Sequence, residues 1–255
     1  MKASRSTKQD RTKKGEADVS FDYIEKNIGE IQKKIDDAVL TRPAKYGDSG
    51  KVRLLAVTKT VEPEKINFAI SRGIDLIGEN RVSELLEKYD KINKNDVEIH
   101  FIGNLQTNKV KYIIDKVSLI QSVNSIRLAE EINKRAMQHN IKMDILVEVN
   151  IGGEESKTGI SPEAAFSFVH SLKDFENLRA VGLMTIAPPP EKIKKTQILK
   201  LFTEMYEIFV DISAKKMDNI NMRILSMGMS GDFEEAISCG ANIIRIGRAV
   251  FGERL

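Results

Sequence analysis

The stretch VRLLAVTK, residues 52–59, sets the reading of the chain: an unbroken apolar run that ends in a lysine is the pattern of a strand buried on both faces, closing where the sheet meets solvent. Seven more such runs follow: IDLIGEN from Ile74, EIHFIGN from Glu98, SLIQSVN from Ser118, MDILVEVN from Met143, LRAVGLMTI from Leu178, MRILSMG from Met222 and NIIRIG from Asn242. Stretches of helical periodicity separate them. Strict alternation implies a parallel sheet, and eight repeats favour a closed (β/α)8 TIM barrel of the α/β class over an open doubly wound sheet. Ahead of the first strand, residues 21–40 read as an amphipathic helix. The sequence ends ten residues after Arg245, too few for a full helix behind the eighth strand. The N-terminal helix is expected to cover that gap.

A chain of 255 residues, 41% hydrophobic, suffices for one such domain, expected over residues 19–255. A net charge of +3 from 40 basic and 37 acidic residues gives no global field to attract nucleic acid or membrane. The basic excess is local: within residues 1–16, Lys2, Arg5, Lys8, Arg11, Lys13 and Lys14 face only Asp10 and Glu16, and residues 1–18 are expected to be a disordered basic tail. The sequence shows no signal-peptide pattern and no apolar window of membrane-spanning length, which predicts a cytoplasmic protein. Cys239, the only cysteine, excludes an internal disulfide and reads as core packing. His139 and His170 fall on predicted helices, and no metal-ligand spacing occurs.

In a barrel of this kind, sites form where strands end and loops begin. Lys59 ends strand one, Asn80 strand two and Asn150 strand five; residues 226–230 end strand seven and residues 245–248 strand eight. A lysine there is either an exposed charge or an amine whose pKa is lowered by neighbours such as Leu55 and Val57, able to form a Schiff base with an aldehyde. SMGMSGD, with Ser226 and Ser230, leads into a helix, and RIGR, with Gly247 and Arg248, forms the next turn. Both can cradle a phosphate or simply turn tightly. Amine and phosphate cradle together suggest a phosphorylated aldehyde, with pyridoxal 5′-phosphate (PLP) the first candidate. Arg245, flanked by Ile244 and Ile246, requires a partner: a pyridine nitrogen, or an acid such as Glu148. Asn80 could contact the cofactor ring or cap the next helix. His100 reads as a hydrogen-bonded core histidine ahead of a catalytic base. The proline-rich loop at residues 187–195 could be a lid, a docking surface or, preferentially, plain surface.

AVTK at 56–59, GEN at 78–80, HFIGNLQTNK at 100–109, SMGMSGDFEEAI at 226–237 and RIGRAVFG at 245–252 together resemble the YggS/PROSC family of pyridoxal phosphate homeostasis proteins over residues 20–255. The resemblance implies a barrel like the N-terminal domain of alanine racemase, without a C-terminal β domain. It implies PLP held as a Schiff base on Lys59, phosphate contacts from Ser226 and the turn at Gly247 and Arg248, Arg245 facing the pyridine nitrogen, and Asn80 in the family's GEN element. Arg248 stands where many members carry a small hydroxyl residue, so the contact implied there is through backbone. The implied role is storage and delivery of PLP without robust catalysis, by a monomer whose partners would be PLP-dependent apo-enzymes. A racemase-type PLP enzyme and a cofactor-free Schiff-base aldolase are the alternatives.

Overall fold

The computed structural model describes residues 20–47, 51–154 and 156–252, so the basic tail expected at residues 1–18 lies outside the described residues. The chain runs through α1 (Asp22–Leu40), β1 (Arg53–Val57), α2 (Pro63–Ser71), β2 (Leu76–Glu79), α3 (Val82–Tyr89), β3 (Glu98–Phe101), α4 (Val110–Ile113), β4 (Leu119–Val123), α5 (Ile126–Gln138), β5 (Met143–Val149), α6 (Ala165–Ser171), β6 (Leu178–Thr185), α7 (Lys195–Ser213), β7 (Ile220–Ser226), α8 (Phe233–Ser238), β8 (Ile243–Ile246) and α9 (Arg248–Phe251). All eight strands pair in parallel and in chain order, and β8 closes on β1 with Arg245 opposite Leu55. The expected TIM barrel is the fold. Among the described residues, no β domain follows it.

Side-chain alternation along each strand builds two apolar layers. Leu55, Leu76, Leu119, Leu146, Val181, Met184, Ile224 and Ile243 form one cluster, enclosed by the strands. Their sequence neighbours, among them Leu54, Ala56, Ile77, Ile120, Ile145 and Ile244, pack outward under the helices. Each fully buried Leu or Ile among them contributes about 1.5–3 kcal/mol. Below the inner cluster, at the N-terminal ends of the strands, lies a floor of ion pairs. Arg53 reaches Glu98 at 3.0 Å and Asp75 at 3.3 Å, and Asp144 is held between Arg179 and Arg223. The opposite, C-terminal rim carries the loops.

The N-terminal helix does cover the gap left after β8. Its buried face, Ile24, Ile31, Ile35 and Ala38, packs against α8 and α9. The Tyr23 hydroxyl donates to Phe251 O at 3.3 Å and Asn27 Nδ2 to Val250 O at 3.1 Å. These bonds satisfy the Val250 and Phe251 carbonyls at the end of the four-residue α9. Cys239 is buried, as its helical pattern predicts. Among the described residues, no helix is long and apolar enough to cross a membrane.

Candidate functional site

On the C-terminal rim, a cavity of about 580 Å³ opens between the ends of β1 and β8 and the loops that follow β6 and β7. That volume lies within the ~300–1,000 Å³ range of small-molecule sites. Of the residues singled out from sequence, Lys59, Ser230, Arg245, Gly247 and Arg248 all line it. Asp232, Met229 and Pro189, Pro190 and Glu191 complete the wall. The proline-rich loop is therefore part of the cavity, not the plain surface preferred from sequence. Prolines there cannot donate backbone hydrogen bonds to a neighbouring strand, which leaves the loop free to fold over the rim.

Lys59 is half-buried, and the turn that carries it is gripped from both sides. The Thr58 hydroxyl donates to Glu79 Oε1 at 2.7 Å, and Thr60 N donates to Glu84 Oε2 at 2.7 Å. Lys88, reaching over from α3, donates to Thr58 O at 2.9 Å, Glu79 Oε1 at 3.1 Å and Glu84 Oε2 at 3.2 Å. Thr60 itself has φ +58°, a left-handed backbone that a β-branched residue adopts only under constraint. The Glu84 carboxylate supplies part of that constraint. Burial pushes the fully enclosed Glu79 carboxyl upward, with Lys88 and Thr58 opposing the shift. Glu84 is held below the usual carboxylate range by the Thr60 N–H and by Lys88, against its own partial burial. Sequence reading singled out none of Thr58, Glu84 and Lys88. The spacing of Glu84 and Lys88, one helical turn apart on α3, was the available signal.

Arg245 is 5% exposed and donates from Nη1 to Ser226 Oγ and from Nη2 to Thr185 O, each at 2.7 Å. Burial brings its pKa down to about 10, with Asp232 and Glu148 opposing, so it stays cationic at neutral pH. Glu148, the acid weighed as its salt-bridge partner, instead accepts from Thr158 Oγ1 at 2.7 Å and Asn124 Nδ2 at 3.2 Å. Ser226, expected at the phosphate, is fully buried and absent from the cavity wall. Its hydroxyl accepts from Arg245 and donates to Gln121 Oε1 at 2.7 Å. The reason is register: Ser226 is the last residue of β7 and shares the barrel interior with Arg245 of β8, whereas Ser230, four residues on, reaches the rim.

The turn between them requires Gly228. Its φ is +94°, and a Cβ there would stand 2.6 Å from Ala236 Cβ. Asp232 accepts from Met229 N through Oδ1, while its Oδ2 is buried without a partner. Burial raises its pKa, with the Met229 N–H and Arg245 opposing.

Asn80 follows β2, and its helix-capping alternative is not realised: Arg81 is the N-cap of α3 and no side chain caps it. Asn80 Oδ1 is buried without a partner. Its backbone is fixed by contact, because a Cβ on Gly103 would lie 2.0 Å from Asn80 O. Asn80 borders a second hollow of the rim, beside Arg81 and Phe101, and does not line the cavity of Lys59. His100 is a core histidine as expected, with Nδ1 at 2.9 Å from Gln121 Nε2. Among the described residues, no group of three or more His, Cys, Asp or Glu side chains is placed to hold a metal.

Comparison with known proteins finds a matching family and named relatives. The family described as "Alanine racemase, N-terminal domain" matches residues 42–255. The pyridoxal phosphate homeostasis protein of Aquifex aeolicus (strain VF5) is 45% identical over 202 residues, 79% of this chain and 87% of that protein. The chain belongs to the pyridoxal phosphate homeostasis family. Solved structures superpose on most of the chain. A crystal structure of an unknown protein from Bifidobacterium adolescentis superposes with a TM-score of 0.82 at 34% identity, covering 90% of this chain and 95% of that one. PipY of Synechococcus elongatus PCC7942, solved with PLP bound, has a TM-score of 0.76 at 26% identity, covering 90% of this chain and 100% of PipY.

Proposed function

We propose that the protein binds PLP at the Lys59 cavity, through a Schiff base on that lysine, and serves PLP homeostasis as a carrier or store without robust turnover. The observation that carries this reading is convergence. An amine at the end of β1, a buried cation on β8 and the turns at Ser230 and at Gly247 and Arg248 meet in one cavity although they are up to 189 positions apart in sequence. The PLP-bound relative and the names of the curated relatives support it. The residues also fit the group in detail. A Cβ on Gly231 would approach Pro190 Cγ to 3.1 Å and narrow the cradle.

When bound, PLP supplies an aldehyde that amines attack and a ring that accepts electrons. The chain's own groups limit that chemistry. Arg245 donates hydrogen bonds and keeps its proton, so it steadies the ring nitrogen without protonating it, which makes the ring a weaker electron sink than a carboxylate partner would. Backbone N–H groups of the Ser230 and Gly247 turns, with Arg248, hold the phosphate. Holding Arg245 is Ser226's part. PLP-dependent apo-enzymes are the expected recipients.

The test is the visible spectrum of purified protein incubated with PLP, before and after borohydride reduction. A band that reduction fixes covalently onto Lys59, and that Lys59→Ala lacks, supports the reading. Wild type and Lys59→Ala behaving alike refutes it.

A further inference from the structure

Two N–H groups of Arg245 have neutral oxygens as partners, Ser226 Oγ and Thr185 O. A guanidinium only donates, so Ser226 Oγ accepts from it, and the one serine proton is left for Gln121 Oε1. With its oxygen so committed, the Gln121 amide turns its NH2 toward His100 Nδ1 at 2.9 Å, and that nitrogen must accept. The imidazole proton is then on Nε2, facing Glu98 Oε2 at 3.5 Å. One fixed cation therefore dictates the direction of every contact from β8 through β7 and β4 to β3, across the closed barrel from the rim to the floor.

We propose that Gln121 and His100 are positioning residues for Arg245, a one-way hydrogen-bond chain that holds Ser226 with its lone pair toward the guanidinium. The proposal rests on the reading of Arg245 as the partner of the cofactor ring. The reversed chain is self-defeating. Turning the Gln121 amide over would aim a second donor at Ser226, strand the serine proton and require a proton on His100 Nδ1. Burial keeps the imidazole neutral, with Arg53 reinforcing it and Glu98 and Asp144 opposing, so a proton on Nδ1 would have to leave Nε2 and set its bare lone pair against the Glu98 carboxylate at 3.5 Å. Arg245, His100, Gln121 and Ser226 are each at most 5% exposed, so water cannot replace a missing link freely.

Two measurements on the full-length protein test this. In the first, ¹⁵N-labelled protein without cofactor is used to locate the His100 proton by imidazole nitrogen–proton correlations. Wild type should carry it on Nε2, and Gln121→Glu, which turns a carboxylate toward Nδ1, should add a proton there. A wild-type Nδ1–H tautomer, or no change in Gln121→Glu, overturns the chain. In the second, the visible band of protein-bound PLP is titrated against pH in wild type, Gln121→Glu and the near-isosteric Gln121→Met. Both variants should move the midpoint by about half a pH unit, the scale of one hydrogen bond altered at second hand. Variants that lose thermal stability but leave the midpoint in place show Gln121 to be packing alone, and overturn the proposal. Wild type that takes up no PLP refutes the cofactor reading; the chain is then decided by the first measurement alone.

Discussion

Ser226 shows how one residue's task changes with a few ångströms of depth. Its hydroxyl faces a buried cation, so Ser226→Ala removes a charge-assisted hydrogen bond of about 1.5–3 kcal/mol. Retention of PLP, measured by equilibrium dialysis, is expected to fall by roughly tenfold or more, with borohydride still fixing the cofactor on Lys59. Glu98 belongs to the same scale. The hydrogen bond from His100 and the charge of Arg53 hold its pKa at about 2 against its partial burial, well below the ordinary 4.5. A depressed acid contributes stability that is complete above the unfolded value and lost as pH falls through the folded one. The urea midpoint of wild type should therefore drop between pH 4.5 and 2, and Glu98→Gln should flatten that part of the profile. At this scale, the meeting of Lys59, Arg245, Ser230, Gly247 and Arg248 at one cavity was legible because strand ends and glycine turns are written locally. Gln121 and Thr185 were not, since a polar residue inside a strand reads the same whether it faces water or a buried arginine.

At the scale of elements, α3 matters beyond its role as a spacer between strands. Through Lys88 and Glu84 it grips the β1 turn on both sides of Lys59 and holds Thr60 in its left-handed conformation. Lys88→Met leaves Glu79 buried without its cation and should destabilise the protein by about 3–5 kcal/mol at neutral pH. The sign with pH is fixed by Glu79, whose pKa burial already raises. Without Lys88 it rises further, so the protonated carboxyl favours the folded state and the deficit should shrink as pH falls toward the unfolded value. Urea unfolding of wild type and variant at two pH values checks this; an equal deficit at both would show that the Glu79 charge is not the cause. Every strand was legible from apolar runs, and α1 from its periodicity. The clamp was not, because it joins residues 58, 60, 79, 84 and 88 through a fold that brings two consecutive β/α units side by side.

For the whole molecule, a ligand bound only by the folded state stabilises it by mass action, about 2.7 kcal/mol at a free concentration one hundred times Kd. Added PLP should raise the melting temperature of wild type with concentration. Lys59→Ala should respond only at higher concentrations, through the phosphate turns that remain; a response identical to wild type would separate PLP binding from that lysine. The barrel itself was legible from repetition, since eight strand–helix units of one chain admit few closed arrangements. The floor beneath it was not, because Arg53, Asp144, Arg179 and Arg223 look like ordinary charges until the sheet closes. Among the described residues, that floor and the packed apolar cluster above it close the barrel at the end opposite the rim. On the proposed reading of a PLP carrier, the cofactor would leave by the way it came in, and hand-over would take place either through free solution or mouth to mouth at the rim, where the prolines of the 187–195 loop stand beside the threshold.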